Sequence, residues 1–260
     1  MSSTADLMGL AGTIFSESLS QENRLKIAIV GEPKVGKSWL ASTAPTPAIV
    51  YDFDDRAESL AGKPGLVIRR KPTMIDVETD LSIFKARKYK GLSIPITAIF
   101  DSVTFMNRAM EEEIFKQDPT LARTIKVGPG TGMKVRNSWD TINGIQRYME
   151  YLIAEFSPLM NIVFVYHEKA EKDYTKSTEK ETRYTGEITV DPQYLAKTLS
   201  LFNEVYRITL NYQKQYEVQC RPTWDFKAST TMQLADVEKP SIADMIAKHR
   251  ALREKQSNAV

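Results

Sequence analysis

An α/β fold is what this sequence predicts: a mainly parallel central sheet, helices on its faces and a C-terminal β extension. Three observations carry that prediction. The apolar run Lys26-Ile27-Ala28-Ile29-Val30 passes directly into Gly31-Glu32-Pro33-Lys34-Val35-Gly36-Lys37-Ser38, a strand feeding a glycine-bounded loop and then the helical sequence Trp39-Leu40-Ala41. A second apolar run, Ile96-Thr97-Ala98-Ile99-Phe100, ends in Asp101 and is followed by helical sequence. A third, Asn161-Ile162-Val163-Phe164-Val165-Tyr166, follows an amphipathic helix over 139–156 in which Ile142, Ile145, Met149, Leu152 and Ile153 fall at helical spacing. Buried strands alternating with helices build parallel sheets.

The loop has a chemistry of its own. Gly31 and Gly36 allow the backbone to curl with N–H groups turned inward. Lys37 is placed to reach β- and γ-phosphates, the Ser38 hydroxyl to ligate Mg²⁺, and the helix start adds its dipole. Residues 31–39, from Gly31, Glu32, Pro33, Lys34 and Val35 through Gly36, Lys37, Ser38 and Trp39, are therefore the expected nucleotide contacts, with ATP and Mg²⁺ as ligands.

The chain as a whole sets the bounds. Its 260 residues fit one large domain with small additions: an arm over 1–24, a core over 25–235, and a C-terminal helix and tail over 236–260. A 42% hydrophobic and 26% charged composition is that of a globular protein, and a net charge of +2 gives no global nucleic-acid signature. The single Cys220 excludes an internal disulfide and suits a reducing cytoplasm. The N-terminus has no signal-peptide pattern, and no run approaches the roughly 18 apolar residues of a membrane span. Residues 5–20 are apolar but broken by glycine, so they either cover an edge of their own domain or dock on a neighbouring subunit.

In chain order, Pro47-Ala48-Ile49-Val50-Tyr51 reads as the second strand and ends in Asp52-Phe53-Asp54-Asp55. Three acids in four residues are costly without a metal or basic partner, and the C-terminal end of such a strand faces the ligand crevice. Asp54 or Asp55 also suits the cap of a helix over 56–60. Gly65 to Ile68 is a short strand, and a helix over 75–90 closes in Lys85-Ala86-Arg87-Lys88-Tyr89-Lys90, a solvated and dipole-favoured end. The run into Asp101 has the Walker B pattern, whose carboxylate helps hold Mg²⁺.

The segment 123–136 contains three glycines, a proline, no acid and the basic residues Arg123, Lys126, Lys134 and Arg136. It predicts a mobile positive loop that either follows a polyanion backbone or is merely exposed. His167 ends the third strand on the same edge as Asp54 and Asp101, within reach of a γ-phosphate. Residues 168–187 mix charges without apolar pattern and predict a long loop. Asp191-Pro192 opens a helix, 202–210 and 215–220 form a hairpin, 223–234 is further β structure, and Ser241-Ile242-Ala243-Asp244 caps a last helix.

With these anchors placed, residues 25–235 resemble the RecA-like recombinase core, and in particular the compact phage RecA-like ATPases associated with single-strand annealing. The resemblance rests on the loop at 31–38, on Tyr51-Asp52-Phe53-Asp54 and on Ile99-Phe100-Asp101-Ser102-Val103-Thr104, in that order. It implies that Asp54 activates the attacking water. The family usually has Glu there, so the reach is one methylene shorter, and Asp55 is the alternative. It implies that His167 senses the γ-phosphate, and that 123–137 and 168–187 are DNA-binding loops. It implies that ATP sits between subunits of a ring or filament, completed by a neighbour's basic residue, with Lys227 the first candidate and Arg221 the second. The implied role is DNA-stimulated ATP hydrolysis on single-stranded DNA in the cytoplasm, that of a bacterial host if the chain is phage-encoded, with a single-strand-binding protein or exonuclease as partner. Two other readings stay open: a nucleotide-stabilised annealing scaffold with little turnover, and a P-loop kinase, against which the absence of an Arg-rich lid counts.

Overall fold

The computed structural model describes residues 24–118, 122–126, 132–136, 139–172, 184–188 and 195–257. The expected arm and the segment 189–194 that was to open a helix lie outside them.

The first apolar run is β1 (Lys26–Gly31), followed by the short helix α1 (Lys37–Ala41) and β2 (Ala48–Asp52). A 3₁₀ turn (Ala57–Leu60) leads to β3 (Leu66–Arg70), and α2 (Met74–Tyr89) starts from a capping box between Thr73 and Asp76. Then come β4 (Thr97–Asp101), α3 (Val103–Gln117), β5 (Ala122–Lys126), β6 (Gly132–Arg136), α4 (Trp139–Phe156) and β7 (Asn161–Lys172). The chain closes with β8 (Tyr184–Ile188), α5 (Leu195–Ser200), β9 (Glu204–Leu210), β10 (Tyr216–Gln219), β11 (Val237–Glu238) and α6 (Ile242–Ser257).

The strands form a nine-stranded sheet in the order β11-β10-β9-β1-β7-β4-β2-β3, with β8 paired to β7. The run from β9 to β3 is parallel, and β8, β10 and β11 add on antiparallel. This is the mainly parallel α/β sheet that the sequence predicts, with its β extension at the C-terminal side.

Strand alternation sorts the core into two layers. Ala28, Val30, Tyr51, Phe100, Phe164 and Tyr166 face α2, α3 and α4, whereas Ile27, Ile29, Val50, Ile99 and Val165 face α1 and α6. Tyr51, Phe100 and Phe164 stack across three neighbouring strands, with centroids 5.1 Å and 4.6 Å apart. The last helix joins the core through Ile242, Met245 and Ile246, and its first N–H groups donate to Thr43. At the other margin, β3 is the outermost strand among the described residues, and Val67 stands largely exposed on it. No described helix is long and apolar enough to cross a membrane.

Three expectations are corrected. The basic segment 123–136 does not avoid strand: its backbone forms the antiparallel pair β5–β6, with Arg123 opposite Val135 and Thr124 opposite Lys134. Thr124, Ile125 and Val135 favour extended backbone, and the glycines gather mainly between the two runs, a hairpin signature. The side chains of Arg123, Lys126, Lys134 and Arg136 lie outside what is described. The segment 168–187 is likewise not all loop, because β7 continues past His167 to Lys172 and pairs with β8. Its two faces are both polar in sequence, so no alternation announces it.

Residues 223–234 hold only the isolated bridge Val205–Ser229 rather than continuous β structure. A buried carboxylate takes the place of a ladder there. Glu204 is fully buried and accepts from Tyr206 Oη at 2.7 Å, Thr230 Oγ1 at 2.5 Å, Thr231 N at 2.9 Å and Thr231 Oγ1 at 2.5 Å.

Candidate nucleotide site

The parallel strands bring their C-terminal ends to one edge of the sheet, and the predicted residues gather there. Gly31 pairs with His167 across β1 and β7, and Asp52 pairs with Asp101 across β2 and β4. β7 lies between the strand that launches the loop and the strand that ends in Asp101, so His167 sits between the two. His167 is not the end of its strand, however; it is the point at which β7 leaves β1 and enters the hairpin with β8.

The loop is held by close packing. A Cβ on Gly31 would stand 2.7 Å from the Ile208 carbonyl oxygen and 2.9 Å from Val35 Cγ2. Gly36 has φ +86°, a left-handed conformation that favours glycine. Gly31→Ala is therefore expected to cost about 1–3 kcal/mol of stability through overpacking, read as a lowered midpoint in thermal unfolding. An unchanged midpoint would show that the loop has room to give.

Lys37 is buried, and its Nζ donates to the Glu32 carbonyl oxygen at 2.5 Å, folding the side chain back over the loop. Burial lowers its pKa, against the pull of Asp101, Glu168, Asp54 and Glu32. Ser38 donates its hydroxyl to Asp101. Asp101 is itself buried, and burial together with Asp54 and Asp52 pushes its carboxyl up to about 6 despite Ser38 and Lys37. Buried carboxylates at that end of the sheet make it short of positive charge, which is the condition a divalent cation relieves. Ser38 and Asp101 are suited to hold Mg²⁺, which keeps most of its coordination shell for phosphate and water. Among the described residues, no three His, Cys, Asp or Glu side chains form a metal site without such added ligands. The residues present thus fit a metal–nucleotide complex.

The acids at 52–55 take three separate roles. Asp52, not Asp54 or Asp55, caps the turn that follows: its Oδ1 accepts from Arg56 N at 3.1 Å and its Oδ2 from Ala57 N at 3.0 Å. The expected helix there is only the 3₁₀ turn. Asp54 is nearly covered, and burial followed by its hydrogen bond to Asp52 raises its pKa. Asp55 points away, bonded to Lys71 Nζ at 2.8 Å and near Arg70, and the Lys71 contact lowers its pKa. Burial, and then the positive charges of Lys37 and Arg56, lower the pKa of His167.

Trp39 is half exposed and faces the Lys63 ammonium at 5.4 Å rather than the loop interior. Glu32, Pro33 and Lys34 are exposed on the outer turn of the loop. Lys227 is exposed beyond β10, and Arg221 contacts Asp236 and the Leu234 carbonyl of its own chain.

Two features escaped sequence reasoning. Tyr216 on β10 packs its ring 3.7 Å from where a Gly36 side chain would begin. Arg207 on β9 binds Glu168 on β7. A tyrosine in a short polar strand and an Arg–Glu pair 39 residues apart leave no local trace.

Comparison with known proteins bears on this arrangement. No curated protein matches the chain. Among solved structures, a KaiC-like protein from the hyperthermophilic archaeon Pyrococcus horikoshii is similar at 12% identity and a TM-score of 0.38, over 80% of this chain and 83% of that one. A family profile described as an AAA domain matches residues 23–232, from just before β1 to the segment after β10. That span holds every strand of the parallel sheet and all the residues gathered at its edge, and the chain belongs to this AAA-domain family of P-loop ATPases.

Proposed function

We propose that the protein binds ATP with Mg²⁺ at residues 31–38 and Asp101, hydrolyses it, and uses the nucleotide state to control single-stranded DNA in recombination, annealing or repair. The observation that carries the nucleotide reading is the buried Lys37 beside Asp101, with Ser38 donating to that carboxylate, at a glycine-tight loop. Ser38 and Asp101 would hold Mg²⁺, which would supply charge neutralisation at the phosphates. Lys37 adds the second positive charge. Asp54, whose pKa is raised where that of Asp55 is lowered, takes the proton of the attacking water; Asp55 is committed to surface cations. Tyr216 offers an aromatic face for the base.

The DNA part rests on the resemblance and on composition. The segment 123–136 carries four basic residues and no acid, and the β7–β8 hairpin begins one residue after His167. Loss of the γ-phosphate would pass from His167 into that hairpin and change its grip on a strand of DNA. Copies of the chain would assemble as a ring or filament, with Lys227 or Arg221 reaching a neighbour's nucleotide, and a single-strand-binding protein or exonuclease would share the DNA.

The test is steady-state ATP hydrolysis by the purified protein with and without single-stranded DNA, at low and moderate salt. Stimulation by DNA that fades as salt rises is the expected result. Turnover indifferent to DNA removes the DNA reading. Nucleotide binding without turnover in either condition favours a scaffold that ATP merely stabilises.

A further inference from the structure

An ion pair spans β1 where the phosphate loop begins, and the activity proposed above does not use it. β1 lies between β7 and β9; Gly31 pairs with His167 on one side and Val30 with Arg207 on the other. Glu168 follows His167. The Arg207 guanidinium reaches it across β1 and binds both carboxylate oxygens, Nε to Oε2 at 3.0 Å and Nη2 to Oε1. Nη1 donates to Asp225 Oδ2 at 2.6 Å, and the guanidinium lies over the Phe226 ring at 5.3 Å. The side chains are little exposed, 4% for Glu168 and 15% for Arg207. Two strands separated by a third stand about 9.6 Å apart, a gap that a long forked side chain can close.

Glu168 also acts on Lys37. Of the carboxylates that draw on that ammonium, Asp101 acts most strongly and Glu168 next, ahead of Asp54. Glu168 therefore has two cations within its influence, and only Arg207 touches it in a bidentate, charge-assisted way.

We propose that Arg207 is a positioning residue that withholds the Glu168 carboxylate from Lys37, leaving that ammonium available to phosphate. The inference rests on the nucleotide reading of the site and adds a control on it. Released from Arg207, a carboxylate with so little exposure beside a lysine would close on it to recover its lost solvation, and would then compete with the incoming anion. Because Glu168 is also the first residue of the β7–β8 hairpin, opposite Ile188, the same contact fixes the hairpin's base to β9.

The experiment is equilibrium titration of the full chain with a fluorescent ATP analogue and Mg²⁺, with folding checked by circular dichroism. Arg207→Met is expected to weaken binding by about tenfold or more, the scale of one charge pair in a partly buried site. Adding Glu168→Gln to that variant is expected to restore affinity to within about threefold of the parent, because the competing charge is gone. A pair that served only to hold the fold would show no such rescue. Arg207→Met binding like the parent, or a double variant as weak as the single one, overturns the proposal. If Arg207→Met does not fold, Glu168→Gln alone decides. Binding as tight as the parent's or tighter supports the proposal, and clear weakening overturns it. A parent that binds no nucleotide overturns the proposed function and this inference with it, whereas a binding parent with an indifferent Arg207→Met overturns the inference alone.

Discussion

Lys37→Ala is expected to lower ATP hydrolysis by about a thousandfold or more, the upper range for removing a charge-stabilising donor from a preorganised site. The structure gives two reasons for so large an effect. Lys37 is the buried cation of the loop, already turned inward on the Glu32 carbonyl. It is also the positive charge on which Asp101, Glu168, Asp54 and Glu32 converge. Without it, the Asp101 carboxyl would move further above its present value of about 6 and lose its fitness as a cation ligand. Phosphate release at saturating ATP and Mg²⁺ measures the effect. A variant that hydrolyses ATP at the parent rate would place catalysis elsewhere in the chain.

The second large effect is assigned to Asp54. Asp54→Asn is expected to reduce turnover by about 10²- to 10⁴-fold while leaving nucleotide binding nearly intact. Asp55→Asn should change little, since its carboxylate is spent on Lys71 and Arg70 at the surface. The pH dependence separates them further. Burial and Asp52 raise the Asp54 pKa, so the proton is held to higher pH than in an ordinary aspartate. A base works ionised, so the parent rate should climb with pH through that shifted titration. The limb should vanish in Asp54→Asn and persist in Asp55→Asn. Persistence of the limb in Asp54→Asn would move the base to another group.

Most of the sheet and the heart of the site were legible in the sequence because their signals are local. An apolar run ending at Gly31, another ending at Asp101 and a third ending at His167 each announce a buried parallel strand and the residue at its functional end. What escaped depends on contacts between distant positions or on strands without an apolar face. The β7–β8 hairpin is largely polar in sequence, so periodicity was silent there, and in β5–β6 the alternation of Ile125, Met133 and Val135 with charged residues spans too few positions to stand out among the glycines. The cap on the 3₁₀ turn fell to Asp52 because this fully buried acid at the end of β2 accepts from Arg56 N and Ala57 N, while Asp55 is held by Lys71. Residues 223–234 looked like strand, but Glu204 ties Thr230 and Thr231 to itself and leaves no ladder to form. The Arg207–Glu168 pair exists only because β9 and β7 flank β1, an arrangement set by the strand order and not by any local pattern.

The outermost strand, β3, carries a consequence for how the protein behaves at high concentration. Among the described residues it has a neighbour on one side only, and Val67 on it is exposed, which are the ingredients of edge-to-edge aggregation. The strand ends in Arg69 and Arg70, and Lys71 follows directly. A second copy approaching that margin would bring like charges together before any backbone hydrogen bond could form. Asp80 and Asp55 draw on those cations without covering them, since Arg69, Arg70 and Lys71 all remain substantially in solvent. The residues that hold the acidic turn after β2 in place thus also serve colloidal stability, and the aspartate left out of catalysis has its work at the sheet's unguarded rim.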